Sequence, residues 1–582
     1  MLKECLEVFK HQLDKNGDKM ILHSYVPVDG TYVIVSPKDN SFEIKDQVNI
    51  KYNKKTKELE GSSSSYFYYL CECDYNSKLI EMNKPIDGKK IIHSNNYLSF
   101  WIKKESLSNG KLTEEIIDNY YDTLLNPISK YSKSKKATDL YESVEKEIGS
   151  VDKELLNKIR IWIKENIFNF GIEINGKDYL KLFFEYNVED YKREGKRYFI
   201  PNIYNNNDFN LDVNGKIYGL PNDNMGLNSK KPYLENKTRD VAVPYLIDDN
   251  EVILQRKFFD YLMNNAAIGK VNVYINNEKK LFKFYDSGDM IDTDFNGLFL
   301  RIKKGKEVEI HDYDIISGYK YTLSKKFEFK NIIDLDLSSK NVSLQNYGLC
   351  TTVKAFQNII NEVFFNKFLI NNYFTKPEDI KITDVYLKRN LILLRNTLFD
   401  FIYKGIDNGV FQMLDKISLN IVKGSISNGF IIKASHQFNL RWSINEYFKK
   451  GNDKMADVIT DIKSNLRDKI NAIDTVKIDS DKEYYFAVGQ LVSYLLSKNK
   501  AKKKVHFLAN PFINSKNDDV IKEKLRNLYK KYNYDINMNG KRFNNLYALI
   551  LGYKPEGKVN QDMIIAGYLN SSLIYESDNK ED

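Results

Sequence analysis

Apolar residues recur at helical spacing from Leu2 to Leu13, through Leu6, Val8 and Phe9, and Asn16-Gly17 closes the stripe, so the chain opens on a short helix. The period then drops to two. Thr31 to Ser36 and Phe42 to Tyr52 are rich in β-branched residues, and Asp39-Asn40 between them predicts a hairpin. Gly61 to Ser65 breaks the chain ahead of an aromatic helix expected over Tyr66 to Met82, and Leu98 to Lys103 reads as a strand. Three helical patterns follow between Thr113 and Asn169. Thr113 and Ser150 offer hydroxyls that can cap the first and the third.

From Asp178 to roughly Ile332 the period again approaches two. Strands are expected at Leu180 to Tyr186, Val271 to Ile275, Leu281 to Tyr285, Leu298 to Ile302 and Val308 to Ile310, with Asn276-Asn277 as a hairpin turn and one helix over Glu251 to Asn264. Beyond about Gly348 nearly every window is helical. The patterns run over Thr352–Asn371, Thr383–Tyr403, Gln412–Val422, Gln437–Lys449, Met455–Ile473, Lys482–Ser497, Asp519–Tyr532 and Gln561–Tyr575, and a bundle is the natural way to bury their faces. The expected fold is therefore α+β and multidomain: a mixed α/β N-terminal half, a β-rich middle and an all-α C-terminal helical bundle. At 582 residues the chain is too long for one core, and the pattern changes divide it at 1–170, 171–347, 348–454 and 455–582.

Composition changes this picture little. Hydrophobic residues make up 42%, enough to bury a sizeable core. Lys and Arg number 88 against 79 Asp and Glu, a net charge of +9 that is mild for the length, so local clusters matter more than the total. Four cysteines, Cys5, Cys71, Cys73 and Cys350, are too scattered for a disulfide framework and suit a reducing cytoplasm. Cys71-Glu72-Cys73 lacks the two further ligands a zinc ion needs. Neither a charged-then-apolar leader nor a run of about 18 apolar residues occurs, so the chain is expected neither to leave the cell nor to span a membrane.

One loop stands apart. Ile217 to Leu246 reads IYGLPNDNMGLNSKKPYLENKTRDVAVPYL, and its glycines and prolines exclude a long helix or strand. Leu220, Met225, Leu227, Tyr233, Leu234 and Tyr245 are anchors that a flexible spacer would not carry. Between them lie the amides Asn222, Asn224, Asn228 and Asn236, and then the cations Lys230, Lys231, Lys237 and Arg239. Amides can reach groove-edge acceptors, cations neutralise phosphate, and Gly226 lets the backbone come close, so the loop suits a nucleic-acid duplex. On residues alone, an Asn-rich surface loop packed down by its apolar members accounts for the same pattern.

Motifs for an engine are missing. There is no phosphate-cradling GK[ST] loop, no GxGxxG and no HExxH, and the six histidines are isolated from one another. His311-Asp312 reads as a structural pair at a strand end. Asp292-Thr293-Asp294-Phe295-Asn296-Gly297 resembles half a calcium loop, but Lys303 occupies the position of its bidentate glutamate, so a tight acidic turn is expected. No catalytic residue, metal or cofactor is assigned.

The block GLPNDNMGLNSKKPYLENKTR resembles one in the large subunit of the type I-B CRISPR Cascade, the RNA-guided complex that finds invading DNA. The opening MLKECLEVFKHQLDKNGDKMILHSYVPVDGTYVIV and the stretch MNKPIDGKKIIHSNNYLSFWIKKESLSNGKLTEEIIDNYYD from Met82 to Asp122 resemble the same family, at the expected spacing across the first half; the second half shares only its helical character. The resemblance implies a cytoplasmic ribonucleoprotein subunit without catalysis. Its partners would be guide crRNA, target double-stranded DNA, the backbone and small Cascade subunits, and a separate helicase-nuclease. It would recognise the protospacer-adjacent motif, help open the duplex and stabilise the R-loop. Asn222, Asn224, Gly226 and Asn228 would approach the motif, with Lys230, Lys231, Lys237 and Arg239 on phosphates. The N-terminal region would clasp the 5′ end of the guide.

Two features of the C-terminal half extend this reading. The run Lys498 to Lys504, including Lys502, Lys503 and Lys504, is either a solvated helix end or a track for a displaced DNA strand. Met455 is either a plain helix N-terminal residue or an internal start for a small helical subunit, since the codons of Lys449-Lys450-Gly451 must contain a purine stretch ending in GG. The rival readings are a metal-dependent nuclease using Asp286, Asp289, Asp292 and Asp294, and an RNA-independent DNA-binding protein of a mobile element.

Overall fold

The computed structural model describes residues 1–53, 56, 58–78, 85–132, 134–171, 176–204, 207–221, 245–305, 307–337, 347–448, 455–474, 476–500, 506–537 and 539–576. The fold is α+β and multidomain, with several small sheets and a helical C-terminal region. Its contacts divide the chain into two compact units, Met1–Phe284 with Leu300–Tyr313, and Tyr285–Phe299 with Asp314–Asp582.

The N-terminal unit is built on a five-stranded sheet of β1 (Gly30–Lys38), β2 (Ser41–Asn53), β3 (Glu58–Glu60), β4 (Ser99–Lys103) and β5 (Tyr179–Phe184), in the order β3-β2-β1-β5-β4. The hairpin expected over the first two strands forms, and Asp39 turns it with φ 51°. β1 is central and runs parallel to β5, so both its faces are covered and Tyr32, Val33, Ile34 and Val35 are all buried. Gly30 is required here: a Cβ on it would stand 2.5 Å from the Tyr179 carbonyl oxygen across the pair. Helices Glu114–Leu125 and Lys153–Asn166 supply Ile117, Tyr121, Ile159 and Trp162 to the same core. Thr113 caps the first as expected, but Asp152 rather than Ser150 caps the second, because its carboxylate accepts from the Leu155 N–H.

A three-stranded sheet follows, β6 (Leu211–Val213), β7 (Lys216–Gly219) and β8 (Ile247–Asp248), and then β9 (Lys270–Asn276), β10 (Leu281–Asp286), β11 (Phe295–Lys304) and β12 (Val308–Tyr319) in the order β10-β9-β11-β12. The Asn276 carboxamide accepts from the Lys279 N–H in the expected turn. Two sequence expectations change in this region. The period-two reading from Asp178 overlooks a helix over Val188–Phe199, and the aromatic helix spans Phe67–Tyr75.

The C-terminal unit adds β13 (Thr322–Phe329) and β14 (Gly348–Thr352) to a helical array. Helix Asp481–Ser497 crosses helix Gln561–Leu569 at two glycines. A Cβ on Gly489 would meet the Ile564 oxygen at 2.2 Å, and one on Gly567 the Phe486 oxygen at 2.0 Å, so only glycine permits this approach. The buried Arg441 of helix Ile431–Phe448 ties three helices by pairing with Asp562 at 2.7 Å and Asp415 at 2.9 Å. A helix begins at Met455, and the helix over Lys541–Gly552 was not legible in the periodicity. No helix among the described residues is long and apolar enough to cross a membrane.

Candidate functional site

Most of the site expected from the sequence, Asn222, Asn224, Gly226, Asn228, Lys230, Lys231, Lys237 and Arg239, lies outside the described residues, as do Lys502, Lys503 and Lys504. The structure does show how the loop is tethered. β7 pairs with β8 through Gly219 and Ile247, which brings the two ends of the loop together, and Pro221 bridges to Tyr204. Leu220 is buried, and the Tyr245 hydroxyl donates to the Gln255 carboxamide at 3.0 Å.

The described residues bring other cations together. A cavity of 560 Å³ opens in the N-terminal unit between the end of helix Phe67–Tyr75, helix Val188–Phe199 and helix Asp249–Ala267. Each wall has a local cause. Asn187 and Asp248 cap the second and third helices through the N–H groups of Glu189 and Glu251. Gly195 lets helix Val188–Phe199 meet the turn at Asn76, where a Cβ would fall 2.5 Å from a carbonyl oxygen. Inside that helix Glu194 and Arg197, both buried, pair at 2.8 Å, and Arg197 also donates to the Gly149 oxygen at 3.0 Å.

Six cations and four carboxylates line the cavity. Lys192 pairs with Glu189 at 2.7 Å, Lys196 with Glu147 at 3.2 Å, and Lys257 with Asp18 at 2.6 Å; Arg256 faces Asp260 at 3.5 Å. Arg193 turns to Asp190 at 3.1 Å. The Glu189 hydrogen bond holds the Lys192 ammonium above its ordinary range. The Lys192, Arg193 and Lys196 pairs are open to water and worth about 0–1 kcal/mol each, so a polyanion can take their cations.

Lys78 is different. Its ammonium stands 4.4 Å from the ring centre of Tyr25 and 4.7 Å from that of Tyr75, and no carboxylate pairs with it among the described residues. Burial pushes its pKa below the ordinary lysine range. The rings are fixed from behind. Tyr75 donates to Asp260 at 3.0 Å, and Tyr25 donates to Asp74, whose other oxygen pairs with the buried Lys181. Lys181 itself lies 4.0 Å from the Trp101 ring centre. A buried ion pair between helix Phe67–Tyr75 and β5 thus positions the cage around Lys78, which forms no ion pair among the described residues. The arrangement offers an anion positive charge and some apolar surface, the latter from Ile148, Phe199 and Ile253.

Sequence reasoning missed this site because Lys192, Arg193 and Lys196 fall in a segment assigned to strands. The signal was present: Asn187 followed by Glu189-Asp190 and ending in Lys196-Arg197 is the charge order of a capped helix.

The remaining candidates are dispersed. His311 pairs with Glu309 at 3.1 Å, and Asp289 with Lys354 at 2.6 Å. Among the described residues no group of three or more His, Cys, Asp or Glu is placed to hold a metal ion. All four cysteines are buried thiols, and burial pushes Cys71 up to about 12 and Cys350 to about 11. No protein-family model, curated protein or solved structure matches the chain.

Proposed function

We propose that this chain is the large subunit of a type I-B Cascade surveillance complex, a cytoplasmic nucleic-acid-binding protein without catalytic activity. In this reading the 217–246 loop recognises the protospacer-adjacent motif, and the chain helps open the duplex, stabilises the R-loop and recruits a separate nuclease-helicase. The observation that carries the reading is the cation-lined cavity of the N-terminal unit, where Lys78 forms no ion pair among the described residues. It suits a phosphate-rich end, and the resemblance assigns the 5′ end of the guide RNA to this region. Lys192, Arg193 and Lys196 exchange their carboxylates for RNA phosphates, and Lys78 takes one oxygen from within its ring cage.

The test is purification of the full chain with its neighbouring subunits. Short RNAs of uniform length are expected to copurify, and duplex binding is expected to depend on the sequence flanking the target. Replacing Lys230 and Lys231 by Ala should weaken DNA binding across sequences and flatten its salt dependence, whereas replacing the Asn-Gly core should relax motif choice. Absence of RNA together with flanking-independent DNA binding would favour the mobile-element protein instead. Divalent-metal-dependent cleavage by the purified chain would favour the nuclease.

A further inference from the structure

The six cations of the N-terminal cavity are not equally placed. On helix Val188–Phe199, Arg193 is 45% exposed and Lys196 50%, whereas Arg256 and Lys257 on helix Asp249–Ala267 are withdrawn to 23% and 27%. These four and Lys192 each have a carboxylate within 3.5 Å. Lys78 completes the set from the end of helix Phe67–Tyr75. It is half-buried against the Tyr25 and Tyr75 rings, and the two carboxylates whose charge reaches it are engaged elsewhere. Asp74 takes the Tyr25 hydroxyl and the Lys181 ammonium, and Asp260 takes the Tyr75 hydroxyl and faces Arg256. Burial has drawn the Lys78 pKa down, so an anion placed against it restores the charged form.

Charge and size together separate one phosphate from another at such a site. A phosphomonoester carries a charge of about −1.5 to −2 at pH 7 and three strong acceptor oxygens, whereas a phosphodiester carries a single negative charge. The same cations therefore attract the monoester more strongly, since Coulomb energy scales with each charge, and its extra oxygen gives Lys78 an acceptor of its own. A cavity of 560 Å³ encloses one drug-sized group. A strand can lodge an end there and leave its remaining phosphates outside, beside the exposed Arg193 and Lys196. Ile148, Phe199 and Ile253 give the attached sugar or base an apolar wall, which inorganic phosphate would leave uncovered.

We propose that this cavity selects a terminal phosphomonoester over an internal phosphodiester, and that its ligand is a nucleoside 5′-phosphate, free or at the end of a strand, with Lys78 on the terminal oxygens. The inference rests on the reading of the cavity as a nucleotide-phosphate site and adds which kind of phosphate it takes.

The probes are uridylate RNA hexamers that differ only at the 5′ end, which carries a phosphate, a hydroxyl, or a phosphate methyl ester that keeps the phosphorus and a single negative charge. Titrated against the full chain, the 5′-phosphate hexamer is expected to bind roughly ten- to a hundred-fold more tightly than either of the others. Lys78→Met should bring the three affinities together without lowering the unfolding temperature, and Lys192→Gln combined with Lys196→Gln should weaken all three alike. Uridine 5′-monophosphate identifies the source: displacement of the phosphorylated hexamer at a similar concentration supports a free nucleotide, and failure to displace it supports a strand end. Three equal affinities in the parent protein, or a phosphate preference that Lys78→Met leaves intact, overturns the assignment; RNA binding indifferent to the 5′ end would still leave the guide-RNA reading standing. Binding of uridine 5′-monophosphate without binding of any hexamer would sink the guide-RNA reading and uphold this one, and binding by no probe overturns both.

Discussion

Replacing Lys78 by Met separates the two consequences of burying an ammonium that forms no ion pair among the described residues. Its contacts with the Tyr25 and Tyr75 rings, at 4.4 and 4.7 Å, contribute about 0.5–2 kcal/mol each. Against them stands the withdrawal of the charge from water, a penalty of several kcal/mol that the nearby Asp260 and Asp74 carboxylates offset only in part. The lowered pKa says that the penalty wins. Methionine keeps the length of the side chain and gains sulfur–ring contacts of about 0.3–1.5 kcal/mol while removing the penalty. The variant should therefore be more stable, by about 1–2 kcal/mol, and calorimetry should show a rise in Tm of about 2–8 °C. RNA binding should fall roughly ten-fold or more, since a hydrogen bond to a charged group contributes about 1.5–3 kcal/mol. The pH dependence has a definite sign. The folded pKa lies below the ordinary 10.5, so between these values the unfolded chain binds the proton and the folded chain does not; stability rises with pH across that window. The advantage of the Met variant should shrink accordingly as pH rises towards 10.5. A variant that is less stable than the parent at neutral pH, or one whose advantage does not change with pH, would refute the reasoning.

Other substitutions probe the frame around the cavity and the bundle. Asp74→Asn leaves the buried Lys181 without its carboxylate and should cost about 3–5 kcal/mol in urea unfolding, most of it restored by adding Lys181→Met. Gly195→Ala pushes a Cβ against the Asn76 oxygen, and should cost about 1–3 kcal/mol and weaken RNA binding together. Gly567→Ala should destabilise the C-terminal unit by about 3 kcal/mol without changing N-terminal RNA binding, because the atoms it meets are backbone and the helices must separate. Arg441→Met should cost about 1–3 kcal/mol, since it removes charge-assisted hydrogen bonds but leaves two partly exposed carboxylates that water can reach, and scanning calorimetry of the full chain would show it.

Where periodicity and capping residues agreed, the sequence was enough. The β1–β2 hairpin, β4, the helix capped by Thr113 and most C-terminal helices follow from local patterns, because alternation and the 3.6-residue repeat each bury one face irrespective of what covers it. Helix Val188–Phe199 escaped because its apolar residues are few and its buried face carries Glu194 and Arg197, which no hydrophobicity pattern places inside. The loop from 217 to 246 was singled out by composition, while of its residues only 217–221 and 245–246 are described in space.

By itself, the order of residues determined where the chain turns and, in most segments, which coil and which extend. Tertiary structure alone decided that Lys78, Lys192, Lys196 and Lys257 share one cavity, and that His436 in the other unit is buried beside Tyr347. The physical reason is range. Backbone preference acts over a few neighbours and is written locally, whereas the charge state and partners of a side chain depend on groups that only packing brings within a few ångströms.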